Sequence, residues 1–298
     1  MLSRIPLNLP MIVVVLSWGF NFISLKILYH EMPAPAVMFN RTIVMAVLLA
    51  IVVKARGLSL KYPKHDTPRL LLAGLVAMGI YMAVFLEGLQ RTTPAEAAIM
   101  LATAPVFTFL LASALKQESF TWSALMGSMI GFAGVATVIL GGSATSEHGS
   151  LLGNLMTVAS AFLWGIGVVI MRPMLHKYDP TQAFTLSIPG CIPVMLLYGL
   201  WPALHTDYGA ITPFGWLMFA QVTLLSGVIA FMCFYIGIRQ IGPSRATMYQ
   251  FFIPPTAAVI QWLIYGKALA PLQWLGLGVL MVGVIYTSQA RLRAAKTA

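Results

Sequence analysis

The chain repeats itself. Trp18-Gly19 recurs as Trp164-Gly165, and a cation follows each Trp by eight positions, Lys26 and then Arg172. Gly88, Pro94, Pro105, Gly127 and Gly134 match Gly237, Pro243, Pro254, Gly276 and Gly283 at a constant offset of 149 residues. Two copies of one unit therefore make up nearly the whole length, which divides at residues 1–145 and 146–298. An apolar chain with internal symmetry is the sequence mark of a transporter whose repeats enclose a central substrate site.

The solvent of this fold follows from composition. Hydrophobic residues make up 59% of the chain and charged residues only 9%, where a soluble domain carries about 25% charged. Such a chain cannot cover a water-facing surface, and a lipid bilayer is the partner it requires. The net charge of +10 does not mark a nucleic-acid binder. The cations are scattered through short connections instead of forming a stripe. Cys191 and Cys233 both fall in apolar runs and form no disulfide or metal pattern. No cofactor or metal site is expected.

Ten apolar runs, each near the ~20 residues that span a bilayer, lie at about 9–29, 35–54, 69–89, 94–115, 121–141, 150–172, 180–201, 213–236, 243–264 and 271–290. Proline stands in the first turn of seven of them, at Pro35, Pro68, Pro94, Pro180, Pro213, Pro243 and Pro271, where its missing N–H has no intrahelical partner to lose. Thr93 and Glu96 have the spacing of a capping box. The expected fold is all-α and integral to the membrane, with ten transmembrane helices. The first run is read as a retained helix, being too long for a signal peptide and followed by no cleavage site.

Orientation follows from the cations. With the N-terminus in the cytoplasm, fourteen Lys and Arg fall on that side and four, Lys26, Arg41, Arg91 and Lys267, on the other. The positive-inside rule then predicts both termini cytoplasmic. Five spans per repeat is an odd number, so the second repeat runs inverted relative to the first.

The residues Trp18-Gly19-Phe20-Asn21-Phe22…Lys26, Pro35…Arg41 and Gly88…Thr93-Pro94-Ala95…Ala102…Pro105…Glu118…Gly127…Gly134 resemble an EamA-type repeat of the drug/metabolite transporter superfamily, once in each half. The second half departs from the pattern, with Lys267 in place of Glu118 and no cation matched to Arg41. The resemblance implies an inner-membrane, multi-pass exporter of small metabolites, with the runs at 121–141 and 271–290 as peripheral supports. Within the superfamily it is most similar to YddG-type exporters of aromatic and hydrophobic amino acids. Purines, nucleosides, sugars, flavins or drugs are the alternative cargo. The sequence leaves the oligomeric state open, and a monomer is compatible with it.

Candidate site residues come from depth and chemistry. Pro105 and Pro254 lie about eleven residues, or about 16 Å, into their runs. Matched interruptions near the midplane point to a transporter's site and to hinges. Trp18 and Trp164 are too deep for interfacial anchors, and they suit a cavity wall that stacks on an apolar ligand. Tyr81 and Phe85, four apart on one helical face, Met100, Tyr249 and Phe252 are the further candidates for that wall. Core packing is the competing reading for each. Arg41 lies about six residues into its run, on the extracytoplasmic side, with Asn40 beside it. It has two available roles, pairing with a substrate carboxylate or with a carboxylate such as Glu31 or Glu87. Gly127, Gly131 and Gly134 are read as helix-packing positions.

Other classes lack their signatures. There is no H-E-x-x-H, no G-x-S-x-G and no pair of intramembrane carboxylates for an enzyme. A channel's polar filter is also missing. No Asp, Glu or His falls near the middle of a run, so transport down a gradient without obligatory proton exchange is expected.

Overall fold

The computed structural model describes residues 8–117, 120, 122–142, 150–241, 249–266 and 269–297. Within these residues the chain is helices and short connections, with no strand. Arg4, Glu118, His148, Pro243, Arg245 and Lys267 lie outside them.

Helix α1 spans Leu9–Leu28 and α2 Ala34–Ala55. Helix α3 runs Thr67–Gln90 with a π-helical stretch at Leu75–Ile80. Helices α4, Pro94–Leu101, and α5, Ala104–Ala114, follow one another across a two-residue turn. Next come α6 at Trp122–Gly142, α7 at Leu151–Lys177 and α8 at Pro180–Leu204. Helix α9 begins at Pro213–Ala220, passes through π-helical Gln221–Ile229 and ends at Ala230–Ile241. A 3-10 turn at Gln250–Phe252 leads into α10, Ile253–Tyr265, and α11 covers Pro271–Thr297.

Local chemistry sets the starts. Asn8 accepts from Met11 N, Ser150 from Gly153 N, Asp179 from Thr181 N and Thr212 from Gly215 N. Each satisfies a first-turn donor that the helix itself cannot. Thr93 likewise accepts from Glu96 N at 3.2 Å. Among the described residues seven helices are long and apolar enough to cross a membrane. Two shorter apolar stretches, Leu125–Val138 and Pro271–Gly283, accompany them. The run expected at 150–172 continues as helix to Lys177, through Pro173. Hydropathy ends at Arg172, but backbone hydrogen bonding does not depend on side-chain polarity.

The outer surface is apolar: Leu197 is 88% exposed, Trp122 75% and Leu263 69%. In water that perimeter would be unstable, but hydrocarbon is its natural solvent. The main core joins residues of α1, α2, α3, α8, α9 and α10. A second core, with Ile99, Met100, Val106, Val138, Phe251 and Leu280, lies between α4, α5, α6, α10 and α11. There α6 and α11 pack closely, since a Cβ on Gly276 would stand 2.8 Å from the Gly134 carbonyl oxygen. Small residues let two backbones touch where lipid offers no hydrophobic drive.

The bundle has two distinct ends. At one, residues 55–67 meet residues 177–182. Arg56 pairs with Asp179 at 3.3 Å, and Asp66 accepts from Lys177 at 3.0 Å and Tyr178 at 2.7 Å. This is the basic end. At the other, Glu31 accepts from Thr212 N and Oγ1, Glu87 accepts from Tyr198 and Arg91, and Lys26 donates to the Gln90 carbonyl. Near it, Glu96 is buried and accepts from Thr92 at 2.9 Å and Gln273 at 2.8 Å.

Candidate functional site: an aromatic chamber with a buried guanidinium

Two cavities lie along the bundle and share one wall. The smaller, about 70 Å³, is bounded by Trp18, Asn21, Arg41, Tyr81, Phe85 and Phe231 among others. The larger, about 650 Å³, reaches the surface at the basic end beside His176 and Lys177. Trp164 and Gln250 line both.

The wall of the small chamber is a chain of rings. Trp18 meets Trp164 edge-on at 6.4 Å between centroids, and Trp164 meets Tyr81 at 5.1 Å. Tyr81 stacks on Phe85 at 5.8 Å, and Phe22 closes on Phe85 at 5.6 Å. Phe231 contacts both tryptophans, at 5.2 and 6.0 Å. These spacings are those of aromatic pairs in mutual contact.

A defect in α9 positions the Trp18 indole. The π-helical turn at Gln221–Ile229 displaces the regular hydrogen-bond ladder, and the Ser226 carbonyl accepts from Trp18 Nε1 at 3.1 Å. Ser226 Oγ donates to the Ser17 carbonyl at 2.9 Å, and Gln221 Nε2 donates to Ser226 Oγ at 3.0 Å. π-Bulges of this kind recur at functional sites.

The glycine after each tryptophan has its own role. A Cβ on Gly19 would sit 2.6 Å from Thr256 of α10, and one on Gly165 would sit 3.1 Å from Thr108 N of α5. Each Trp-Gly pair thus puts a ring in the wall and lets the helix from the other half approach. Those approaching helices are the ones that carry Pro254 and Pro105. Both prolines stand in the first turn after an interruption, at Ala102–Thr103 and at Gln250–Phe252. A proline there has no N–H for the carbonyl four residues back, and its ring clashes with that carbonyl. Ala102, Gln250 and Ile253, all beside the interruptions, line the small chamber, and Pro105 lines the large cavity.

Arg41 is the buried charge of the chamber. It is 3% exposed, and its Nη1 lies 3.6 Å from Met82 Sδ, while its Nε has no hydrogen-bond partner. Glu31 and Glu87 are committed elsewhere, to Thr212 and to Tyr198 and Arg91. The Asn21 Oδ1 in the same wall, on a side chain that is also buried, has no partner either. A buried cation without an anion is costly unless the site has a use for it.

Of the residues singled out in the sequence, Trp18, Trp164, Tyr81, Phe85 and Arg41 come together in this chamber. Met100 faces the second core instead. Tyr249 accepts from Asn8 N at 3.2 Å near the basic end, and Phe252 is 46% exposed. The wall residue of that segment is Gln250. Lys26 and Arg172, equivalent by spacing, separate: Lys26 binds the Gln90 carbonyl, and Arg172 lines the large cavity. Phe231 was not visible in the sequence, since it sits in an unbroken apolar run with no repeat partner to mark it. Asn21 was visible only as part of the repeat motif.

Comparison with known proteins agrees with this architecture. The model of the EamA-like transporter family matches residues 7–140 and again residues 151–289. The chain is 22% identical over 283 residues to a probable terminal-alkyne amino-acid exporter of Streptantibioticus cattleyicolor, covering 95% of this chain and 93% of that one. It is 23% identical to the uncharacterized inner membrane transporter YedA of Escherichia coli, covering 94% and 90%. It is 27% identical to the uncharacterized transporter YdfC of Bacillus subtilis, covering 82% and 77%. A solved crystal structure shares the fold with TM-score 0.68 at 18% identity, over 97% of this chain and 98% of its own. The protein is a membrane-embedded transporter and not an enzyme. By two matches that together cover most of its length, the chain belongs to the EamA-like transporter family.

Proposed function

We propose that the protein exports aromatic and hydrophobic amino acids from the cytoplasm, as YddG-type members of the superfamily do. The observation that carries this reading is the unpaired Arg41 guanidinium in a chamber walled by aromatic rings. Guanidinium is the residue chemistry for a carboxylate, and the rings suit an apolar side chain. A relative bearing the name of an amino-acid exporter over 95% of this chain supports the same class.

The mechanism follows from the two cavities. Ten spans form two inverted five-helix repeats, 1–145 and 146–298, with both termini in the cytoplasm of the inner membrane. The basic end is then cytoplasmic, and the large cavity is the entrance from that side. Substrate enters it, displaces Trp164 and Gln250, and reaches the chamber. The repeats rock about the breaks at Pro105 and Pro254, closing the basic end and releasing the contacts at the other. The spans carry no midplane carboxylate or histidine, so flux follows the metabolite gradient without obligatory proton exchange. Met100 and Tyr249 serve the packing that this rocking strains, and Phe252 faces outward.

Counterflow in proteoliposomes tests the reading. Internal phenylalanine should drive saturable uptake of labelled phenylalanine, with no uphill accumulation when only a pH difference is imposed. Counterflow of nucleosides or sugars in place of amino acids would overturn it. Uphill, pH-driven accumulation would overturn the uncoupled mechanism alone.

A further inference from the structure

The chamber has one sign of charge. Its lining holds the Arg41 guanidinium and the neutral amides of Asn21 and Gln250, and no carboxylate among the described residues. The chain has eight carboxylates. Six are described, and each is committed outside the chamber. Glu31 binds Thr212, Asp66 binds Lys177, Glu87 binds Tyr198, Glu96 binds Thr92 and Gln273, Asp179 binds Arg56, and Asp207 accepts from Gly209 N. Glu118 and Glu147 lie outside the described residues.

A zwitterion fits such a site poorly. Its carboxylate pairs with Arg41, but its ammonium leaves water and finds no anion. A ligand that keeps the carboxylate and replaces the ammonium by a hydroxyl avoids that penalty. The hydroxyl donates to Asn21 Oδ1, a buried and unpartnered acceptor, as an ammonium would, but without carrying a second positive charge into the chamber beside Arg41.

We infer that the chamber prefers monoanionic aromatic carboxylates to amino acids, with an aromatic 2-hydroxy acid as the best-matched ligand. The carboxylate binds Arg41, the hydroxyl donates to Asn21, and the ring packs against Trp18 and Tyr81 in the space that Trp164 vacates. This rests on the proposal that the small chamber is the substrate site, and it ranks the hydroxy acid above the amino acid among the cargo of that site.

Phenyllactate and phenylalanine differ only by hydroxyl against ammonium, so they form the test pair. Counterflow of each is measured in proteoliposomes at pH 7, with phenethylamine as an external competitor that has no carboxylate. The expected result is half-saturation at roughly tenfold lower concentration for phenyllactate and no competition by phenethylamine. Arg41→Lys, which keeps the charge, should retain the preference, and Arg41→Gln should erase it. Phenylalanine saturating at an equal or lower concentration than phenyllactate, or competition by phenethylamine, would overturn the inference while amino-acid export stands. Phenyllactate counterflow without phenylalanine counterflow would support the inference and overturn amino-acid export. Movement of neither would overturn both.

Discussion

The two cavities meet at Trp164 and Gln250 and differ in almost everything else. The small chamber, about 70 Å³, is ringed by stacked aromatics and holds a buried, unpaired Arg41. The large one, about 650 Å³, opens at the basic end, and the charges at its rim are matched, Asp179 with Arg56 and Lys177 with Asp66. The chamber has chemistry but too little room, and the large cavity has room but satisfied chemistry. On the proposed function, selectivity belongs to the chamber and access to the large cavity, and the thin wall between them is what a substrate must move.

The largest expected effect breaks this division at its charged group. Arg41→Gln removes a hydrogen bond to a carboxylate, worth about 1.5–3 kcal/mol, so half-saturation should rise roughly 10–150-fold. Leu175→Ala, in the large cavity, should change it less than about twofold. Counterflow kinetics on both variants check this, and equal effects would end the distinction between chamber and entrance.

A second prediction concerns the approach of the two halves. Gly19→Leu places side-chain atoms where Thr256 stands. Overpacking of this kind destabilises by about 1–3 kcal/mol. Thermal unfolding in detergent should shift down clearly, whereas Gly57→Ala, with open space around its Cβ, should show only the mild strain of its positive φ.

The shared wall gives a third. Trp164→Ala deletes ring contacts worth about 0.5–1.5 kcal/mol. Apparent affinity for aromatic substrates should fall roughly 2–12-fold, and bulkier substrates should gain relative to phenylalanine as the cavities merge. A variant that is folded and kinetically unchanged would remove Trp164 from the wall.

The smallest effect lies at the basic end, outside the spans. Hydrogen bonds from Tyr178 and then Lys177 hold the Asp66 carboxyl at about 2, below its usual 3.8. A carboxyl lowered on folding stabilises fully above its unfolded value and loses that contribution as pH falls through the folded one. The stability gap between wild type and Asp66→Asn should therefore be present above about pH 4 and should close between about pH 4 and pH 2. A gap that persists at pH 2 would show that the carboxylate's charge is not what joins residues 66 and 177.

Much of the helical frame was legible from hydropathy and from proline at helix starts, because backbone hydrogen bonds must be closed inside lipid. The site was legible only where repetition marked it. Trp18 and Trp164 are matched, deep and aromatic, and both face the chamber. Met100, Phe252 and Phe231 are equally apolar and carried no mark, yet they face a packing core, the outer surface and the chamber respectively. In water a helix betrays its buried face by being polar on the other. Here the face toward lipid and the face toward protein are both apolar, so periodicity cannot tell them apart.

By itself, then, the sequence determined the membrane setting, the helices, the duplicated frame and the interruptions before Pro105 and Pro254, since each follows from local composition and backbone chemistry. The tertiary structure decided which rings share a wall, that a π-turn in α9 aims a carbonyl at Trp18, and that Glu31 and Glu87 turn to Thr212 and Tyr198, leaving Arg41 without a carboxylate. Those outcomes depend on which neighbour reaches a group first among helices far apart in the chain, and no local rule encodes that distance.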